Sequence, residues 1–400
     1  MKASSRLEIL PELEVLLICA RRNLCEPHVE RARKLLAQPL DWQRLIHLGE
    51  AHGLLPLLYW HGTRNLAAEF PQELAQQLQD RFRANSARSL LLIDQLFKVI
   101  DLLGHSGIPA IPFKGPALAG QLYGDASLRE CADLDVLLWA RDVPEAIRRL
   151  ASSGYTKGHR LAANQQNAFV ATQYEYGFLS PAGVLVELQW RIVPRYFSLS
   201  LPEQQYWGRV QAATIGGRDV NRLSAEDLLL FLSFHGGKHG WQKLIWLADV
   251  AELIVSTPQL DWEYVLDCAR RVGGLRMLLL GSALARRLMN SPLPAQLKQP
   301  LMEDEAVGQI AEATCRNLFQ GERPAYVRSQ LYLLRVRERW RDRLRYLMRF
   351  VFTATPMEWE AADFPQPFSF LYRGLRLLRG FRKALSLARN TAARLIERKV

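Results

Sequence analysis

The sequence contains few cysteines, and their arrangement excludes a disulfide scaffold and a structural zinc module. Five occur among 400 residues, at scattered positions: Cys19, Cys25, Cys131, Cys268 and Cys315. An odd number of scattered cysteines makes neither a disulfide framework nor a set of zinc ligands. We therefore expect a protein of the reducing cytoplasm.

Long apolar runs are also missing. No stretch of about eighteen uncharged apolar residues occurs, so we expect no membrane-spanning helix. The first residues, MKASSRLEILPELEVLLICARRN, carry acidic side chains through their apolar part and lack the layout of a signal peptide. With 49% hydrophobic and 23% charged residues, the chain has the composition of a folded globular protein. Its length indicates two or three domains.

Net positive charge is nearly absent outside the end of the chain. The formal net charge is +12, and residues 321–400 hold 18 Lys and Arg against 7 Asp and Glu, a balance of +11. The preceding 320 residues are nearly neutral. The basic character therefore belongs to the C-terminal region and not to the body of the protein.

The hydrophobic pattern divides the chain into four regions. Residues 1–103 have apolar positions at helical spacing, with Asp41 as an expected N-cap. Residues 104–215 alternate strand and helix signals, including an edge-type strand IPAIPFKG and a hairpin EYGFLSPAGVLVELQW. Residues 216–320 are again helical, with Ser224 and Asp227 spaced like a capping box, and 321–400 form a basic helical region. We expect an α+β fold, mostly helical, in which helical segments flank a small α/β domain.

Two aspartates stand in an otherwise apolar strand, LDVLLWA. Residues two apart in a strand project from the same face, so Asp133 and Asp135 point together while Leu134 and Val136 pack on the other side. Two such carboxylates can hold a pair of Mg²⁺ ions for in-line nucleotidyl transfer. Glu187, on the polar face of the strand VLVELQW, is the candidate third carboxylate, as metal ligand or as base.

A phosphate-binding turn is predicted upstream of these carboxylates. Lys114 and Gly115 open a short helix, and free N–H groups at a helix N-terminus favour phosphate. The alternative for Lys114 is a solvated surface lysine. Arg129 could neutralise triphosphate charge or pair with Asp133.

A polar stripe is predicted on the helix that contains FHGGKHGWQKLIWLADVAELI. Five residues fall on one helical face: His235, His239, Gln242, Trp246 and Asp249. Three interpretations apply. Two histidines at this spacing could share zinc, although no third ligand is evident. They could be core histidines at a domain interface, or His235, Lys238, His239 and Asp249 could contact nucleotide or substrate.

The basic C-terminal region alternates arginine with apolar residues, as in LYLLRVRERWRDRLRYLMRFVF. It could be a solvated helix that an apolar seam, including Leu331, Leu334, Leu344 and Leu347, holds onto the body. It could instead lie on an anionic membrane surface, or contact nucleic acid. No RNA-binding module accompanies it, which makes the nucleic-acid interpretation the weakest.

Two blocks of the sequence resemble a known family. The pattern K-G-x-A-L-A…Y-G-D…R-x-x-x-D-L-D, from Lys114 to Asp135, resembles the signature of the bacterial uncharacterised nucleotidyltransferase family within the DNA polymerase β-like superfamily. FHGGKHGWQKLIWLADVAELI is similar to the second family block, of the form H-x-x-K-H-x-W…W…D. With weaker flanks, the resemblance covers roughly residues 10–380. It implies a polymerase β-like nucleotidyltransferase core with metal ligands at Asp133 and Asp135.

The chain departs from that pattern in two places. Gly115-Pro116 stands where the superfamily usually has Gly-Gly or Gly-Ser, which removes one backbone donor. Glu187-Leu188-Gln189-Trp190 stands where relatives often have D-L-H-W, and Gln189 cannot accept a proton as histidine would.

We therefore expect a cytoplasmic, Mg²⁺- or Mn²⁺-dependent enzyme. It would transfer NMP from an NTP such as ATP to an acceptor and release pyrophosphate. The acceptor is open among sugars, metabolites, peptides, proteins and RNA. The alternative is an inactive binding or scaffold protein on the same fold, attached peripherally to the inner face of the membrane through residues 321–400.

Overall fold

The computed structural model describes residues 9–158, 165–197, 199, 201–320, 326–362, 364, 368, 370–380 and 382. Helices dominate, and one five-stranded sheet lies in the middle of the chain. The expected α+β, mostly helical class is confirmed. Among the described residues, no helix is both long and apolar enough to cross a membrane.

The first region consists of helices, as predicted: α1 (Pro11–Cys19), α2 (Glu26–Leu36), α3 (Trp42–His52), α4 (Leu55–Gly62) and α5 (Gln72–Gly104). Asp41 caps α3, because its side chain accepts a hydrogen bond from the Arg44 N–H. Helix α5 has 33 residues. Its first half packs into the core of the helical regions and its second half into the core beneath the sheet. This one helix therefore connects the two cores.

The sheet has the strand order β1-β2-β5-β4-β3. Its strands are β1 (Ile111–Pro112), β2 (Asp133–Leu137), β3 (Thr156–Lys157), β4 (Glu175–Leu179) and β5 (Leu185–Gln189). The predicted edge strand and the predicted hairpin are both present, as β1 and β4–β5. Strands β2 and β5 run parallel at the centre. The helices between the strands are α6 (Gly115–Tyr123), α7 (Val143–Ser152) and α8 (Gln166–Thr172).

The two faces of the sheet belong to different cores. Leu134, Val136 and Leu138 are buried with residues of α5 and α7. Leu137, on the same face as the aspartates, is buried with the core that includes α10. Each fully buried side chain of this size contributes about 1.5–3 kcal/mol. The carboxylate face of the sheet is therefore held against the helical region.

A second hairpin was not predicted from the sequence. Strands β6 (Gln211–Ile215) and β7 (Arg218–Arg222) pair antiparallel around Gly216 and Gly217, both with positive φ. The hairpin spans the position at which the sequence pattern placed the end of the α/β domain. Strand β7 also lies against β1. The hairpin therefore extends the α/β region at its β1 edge.

The remaining helices follow the sheet: α9 (Glu203–Trp207), α10 (Ala225–Lys238), α11 (Leu244–Ser256), α12 (Trp262–Val272), α13 (Leu275–Met289), α14 (Ala295–Glu303) and α15 (Glu305–Gln320). Ser224 caps α10 by accepting from the Asp227 N–H, as its spacing predicts. The expected continuous helix through the histidines is wrong. Gly240 and Trp241 have φ of +65° and +52°, so α10 ends at Lys238 and the chain turns before α11 begins.

The basic region contains α16 (Tyr326–Arg335), α17 (Trp340–Phe352) and α18 (Pro356–Ala361). The leucine seam, one of the three interpretations of this region, is wrong for three of its four members, because Leu331, Leu344 and Leu347 are exposed. Arg337, between α16 and α17, is instead fully buried. Its guanidinium lies 4.1 Å from the ring centre of Phe197 and 4.0 Å from that of Tyr346. The last part of the predicted basic tail, residues 383–400, lies outside the described residues.

Candidate active site

The strand register brings the three predicted carboxylates to one face. Asp135 lies directly opposite Glu187 in the parallel β2–β5 pair, and Asp133 is two residues earlier on β2. Asp135 is 3% exposed, whereas Asp133 and Glu187 are half-buried. Opposed residues of neighbouring strands hold their side chains side by side. The structure therefore brings together the residues that alternation in the sequence singled out.

A fourth carboxylate, Glu175, joins this face and was missed in the sequence. In the antiparallel β4–β5 pair, Gly177 lies opposite Glu187 and Glu175 lies opposite Gln189. The signal was available: counting back through the predicted hairpin from Glu187 places Glu175 on the same face. The cluster thus has four acidic side chains on three adjacent strands.

Asp135 accepts hydrogen bonds from one cationic and one neutral side chain. Lys114 Nζ donates to Asp135 Oδ1 at 2.6 Å, and Gln189 Nε2 donates to the same oxygen at 2.6 Å. Gln189 also donates to Glu187 Oε2 at 3.2 Å. Burial works to lower the pKa of Lys114, but the charge and hydrogen bond of Asp135 outweigh it and the pKa is raised. Lys114 is therefore a charged partner of the carboxylates and not a solvated surface lysine.

The remaining carboxylates repel one another in a partly dry environment. Burial, followed by the charges of Glu175, Asp135 and Asp133, raises the pKa of Glu187 to about 7. Burial also raises the pKa of Asp133, with Asp135 adding to the effect. It raises the pKa of Glu175 as well, although Tyr174 and Lys238 oppose the shift. A cluster of this kind is stabilised by added positive charge.

The carboxylate oxygens of this cluster are of the chemical type that binds a hard divalent cation. Asp133, Asp135 and Glu187 offer carboxylate oxygens, the ligands that Mg²⁺ and Mn²⁺ prefer. Within the part of the chain that the structure describes, no group of three or more His, Cys, Asp or Glu side chains stands at metal-binding spacing. The ammonium of Lys114 supplies the positive charge on Asp135 in this arrangement.

Gly115 is needed where α6 begins beside β2. Its φ is +58°, and a Cβ at this position would lie 2.9 Å from the carbonyl oxygen of Asp133. Pro116 follows inside the first turn, where its missing N–H breaks no helical hydrogen bond. The close approach directs the N-terminus of α6 and Lys114 toward the carboxylates.

Replacing Gly115 by alanine is expected to lower the free energy of unfolding by about 1–3 kcal/mol, because of the left-handed backbone and the contact with Asp133. The matched control is Gly120→Ala in the same helix. A Cβ there meets no atom within 4 Å, and alanine should stabilise the helix by up to about 1 kcal/mol. Urea unfolding measures both. Equal stability of the two variants would contradict the close packing.

The ends of α10 and α11 bring a histidine cluster to the same region. The ring centres of His235 and His239 are 4.7 Å apart, and those of His235 and Trp246 are 5.3 Å apart. His239 is exposed, whereas His235 is partly buried and its pKa is lowered by burial and by Lys114. His239 is therefore not a fully enclosed core histidine, although burial of its ring lowers its pKa to about 3. Gln242 is exposed in the turn that interrupts the predicted stripe.

Lys238 links this cluster to the carboxylates. Its ammonium lies 3.5 Å from the Tyr174 hydroxyl and 4.9 Å from the centre of that ring. Burial lowers its pKa to about 8, against the opposing charge of Glu175. Lys238 and His239 also line a cavity of about 400 Å³ between α10, α15 and α16, with Gln242, Tyr332 and Arg335. Its described lining includes no acidic residue, and the buried Tyr332 hydroxyl has no partner among the described residues.

Arg129 and Asp249 form a buried ion pair. Arg129 Nε lies 3.0 Å from Asp249 Oδ1, and Nη2 lies 2.9 Å from Oδ2. Tyr123 Oη donates to Asp249 Oδ1 at 3.0 Å. The partner of Arg129 is therefore Asp249 on α11 and not Asp133, which was one of the two alternatives for this residue. This contact fixes the end of α6 and the approach to β2 against α11, while nucleotide contacts by either residue stay a prediction.

The profile of the uncharacterised nucleotidyltransferase family matches residues 38–290. The chain belongs to this family. Membership places the protein among transferases at the general level. The matched range contains every site residue predicted from the sequence, from Lys114 to Asp249, and it ends before the basic C-terminal region.

Among solved structures, this member of the nucleotidyltransferase family is similar to an antigenic nucleotidyltransferase-like protein from Paracoccidioides brasiliensis. The sequence identity is 16% and the TM-score is 0.31, over 54% of this chain and 96% of that chain. No curated protein matches the chain significantly.

Proposed function

We propose that this protein transfers the NMP group of an NTP to an acceptor nucleophile. The observation that carries the proposal is the placement of Asp133, Asp135 and Glu187 on one sheet face beside the N-terminus of α6. The acceptor would form a bond to the α-phosphorus, while the bond from that phosphorus to the β-phosphate oxygen breaks and pyrophosphate leaves. The acceptor proton would pass to Glu187 or to solvent. Positioning and charge stabilisation are the main contributions a protein makes to such a transfer.

Asp133, Asp135 and Glu187 would hold Mg²⁺ or Mn²⁺. When bound, the metal neutralises triphosphate charge. Lys114 and the free N–H groups at the start of α6 would bind phosphate oxygens, because positive charge and helix polarity coincide there. Lys238, on which the charges of Glu175, Glu187 and Asp135 act, would supply a second cation. The acceptor would enter through the 400 Å³ cavity that shares Lys238 and His239 with the site.

A transfer screen tests the proposal. The protein is incubated with each of four α-³²P-labelled NTPs, Mg²⁺ or Mn²⁺, and a cell extract as the source of acceptor. We expect labelled product from at least one NTP and none from the Asp133→Asn/Asp135→Asn variant. Absence of label with every NTP and both metals would overturn the transferase assignment.

One observation favours the alternative, a binding protein without turnover. Asp135 Oδ1 is already engaged by both Lys114 and Gln189, each at 2.6 Å. On this alternative, NTP would bind without release of pyrophosphate. Calorimetric NTP binding combined with a negative transfer screen would support it.

Replacing His239 by alanine is expected to weaken NTP or acceptor binding by about tenfold, the effect of one lost hydrogen bond. The melting temperature should fall by less than about 2 °C, because the side chain is exposed. His47→Ala, which removes an exposed histidine on α3, is the matched control. A large loss of stability with unchanged binding would instead show a structural role.

A further inference from the structure

Three arginines line a cavity of about 530 Å³. None of the four clustered carboxylates of the candidate active site is among its described lining residues. Arg191 follows β5, Arg195 lies in the next turn, and Arg349 is on α17. Main-chain carbonyl groups hold them. Arg191 and Arg195 donate to the Ala171 carbonyl at 3.3 and 2.9 Å, and Arg349 donates to the Arg195 carbonyl at 2.9 Å. The three guanidinium groups are thus fixed near one another by neutral acceptors.

Their positive charge is opposed only in part within the described part of the chain. None of the ion pairs among the described residues includes these three arginines, but the charge of Glu203, which lines the same cavity, acts on Arg191, and that of Asp342 acts on Arg349. Glu203 accepts a hydrogen bond from the Ala140 N–H. Burial lowers the pKa of Arg191 and of Arg349, and in both the charge of Arg195 adds to the effect. Clustered guanidinium groups of this kind are the protein groups best suited to bind a phosphate in two-pronged fashion.

An apolar groove of about 550 Å³ adjoins the arginines and shares Arg195 and Arg349 with their cavity. Met348, Phe352 and Phe370 line it, and its described lining includes no acidic residue. The buried Trp359 Nε1–H, also at this groove, has no acceptor among the described residues. An amphiphile with an acidic head could pair its head with the arginines and place its apolar part in the groove.

The adjoining face of α17 is exposed and apolar. Leu344, Leu347, Met348 and Val351 fall at helical spacing on one stripe and are 42–52% exposed. Arg341 and Arg345 are exposed on the same helix. An apolar stripe flanked by arginines is the pattern of a helix that lies in the interface of an anionic membrane. Free phosphate or nucleic acid would leave this stripe in water.

We propose that Arg191, Arg195 and Arg349 bind the phosphate headgroup of an anionic lipid at a membrane surface, with the α17 stripe in contact with the acyl boundary. This site is separate from the carboxylate cluster and does not depend on nucleotidyl transfer. It would place the protein peripherally on a membrane through one face.

Vesicle co-sedimentation of the full chain tests the site. Phosphatidylcholine vesicles with and without phosphatidylglycerol are used at low and high salt. We expect salt-sensitive pelleting only with phosphatidylglycerol. The Arg191→Gln/Arg195→Gln/Arg349→Gln variant should bind at least about tenfold more weakly, whereas the control Arg83→Gln/Arg287→Gln/Arg316→Gln, which removes three exposed arginines, should stay within about twofold.

Other outcomes would overturn the proposal. Equal weakening of the two triple variants would show diffuse charge attraction and no site. Binding of inorganic pyrophosphate that is lost in the cluster variant, without any pelleting, would assign the arginines to a soluble phosphate. Circular dichroism checks whether the variant of the three clustered arginines is folded. If it is misfolded, the Leu344→Ser/Leu347→Ser variant replaces it in the test, because both leucines are exposed and their loss should not affect folding. Unchanged pelleting of the leucine variant would contradict the lipid assignment.

Discussion

Replacing Asp133 and Asp135 together by asparagine is expected to weaken Mg²⁺-dependent NTP binding by at least about 100-fold, since two hard ligands are lost at once. The fold should survive, because the amide of Asp135→Asn keeps an oxygen that can accept from Lys114 and Gln189, and because both positions face away from the core beneath the sheet. Isothermal titration with NTP in the presence and absence of Mg²⁺ measures the effect.

The matched control is Asp267→Asn, which removes an exposed aspartate that pairs with Arg271 on α12. It should bind NTP with unchanged affinity. Unchanged Mg·NTP affinity in a folded Asp133→Asn/Asp135→Asn protein would disprove the metal-site assignment. NTP binding that is weakened equally with and without Mg²⁺ would show instead that the aspartates act through Lys114.

The core of this site was predictable because strand alternation depends only on neighbouring residues. Asp133, Asp135 and Glu187 stand out as acidic positions in apolar strands, and period-two geometry gives their common face without tertiary knowledge. The parallel pairing that sets Asp135 opposite Glu187 was not predictable in this way. It depends on the crossover through α7, β3, α8 and β4, whose register no local pattern encodes.

The break between α10 and α11 shows where local pattern fails. The spacing of His235, His239 and Trp246 suits one helix, yet the chain turns at Trp241. The indole of Trp241 is fully buried against two glycines: a Cβ at Gly236 or Gly281 would lie 2.2 or 2.8 Å from it. Burying that large side chain favours the turn, and Gly281 lies on another helix that periodicity cannot connect to it.

Tertiary contacts also determine which residues of the basic C-terminal region are buried. Alternating arginine and leucine predicted an apolar seam, but Arg337 is the buried residue because Phe197 and Tyr346 stack on its guanidinium and the Phe197 carbonyl accepts from it at 3.1 Å. Phe197 lies 140 residues upstream. A sequence pattern that does not include Phe197 predicts that the arginines lie at the surface and that the leucines pack against the body of the protein.

The ion pair of Arg129 and Asp249 is expected to produce the largest stability effect of a single substitution. Arg129→Met should lower the free energy of unfolding by about 3–5 kcal/mol, because among the described residues it leaves the buried Asp249 carboxylate with the Tyr123 hydroxyl as its one partner. Arg129→Lys should lose less, since it keeps the charge while losing the two-pronged contact. Urea unfolding followed by tryptophan fluorescence measures both.

The double variant Arg129→Met/Asp249→Leu separates a structural pair from a nucleotide contact. Replacing both members of a buried ion pair by apolar residues of similar size is often neutral, so the double variant should recover most of the stability that Arg129→Met loses. If the pair serves only to fix α6 and β2 against α11, recovery of stability should also restore NTP affinity. A stable double variant that still fails to bind NTP would show that Arg129 or Asp249 contacts the nucleotide directly, as the sequence predicted. A variant series in which stability never changes would contradict the buried pair itself.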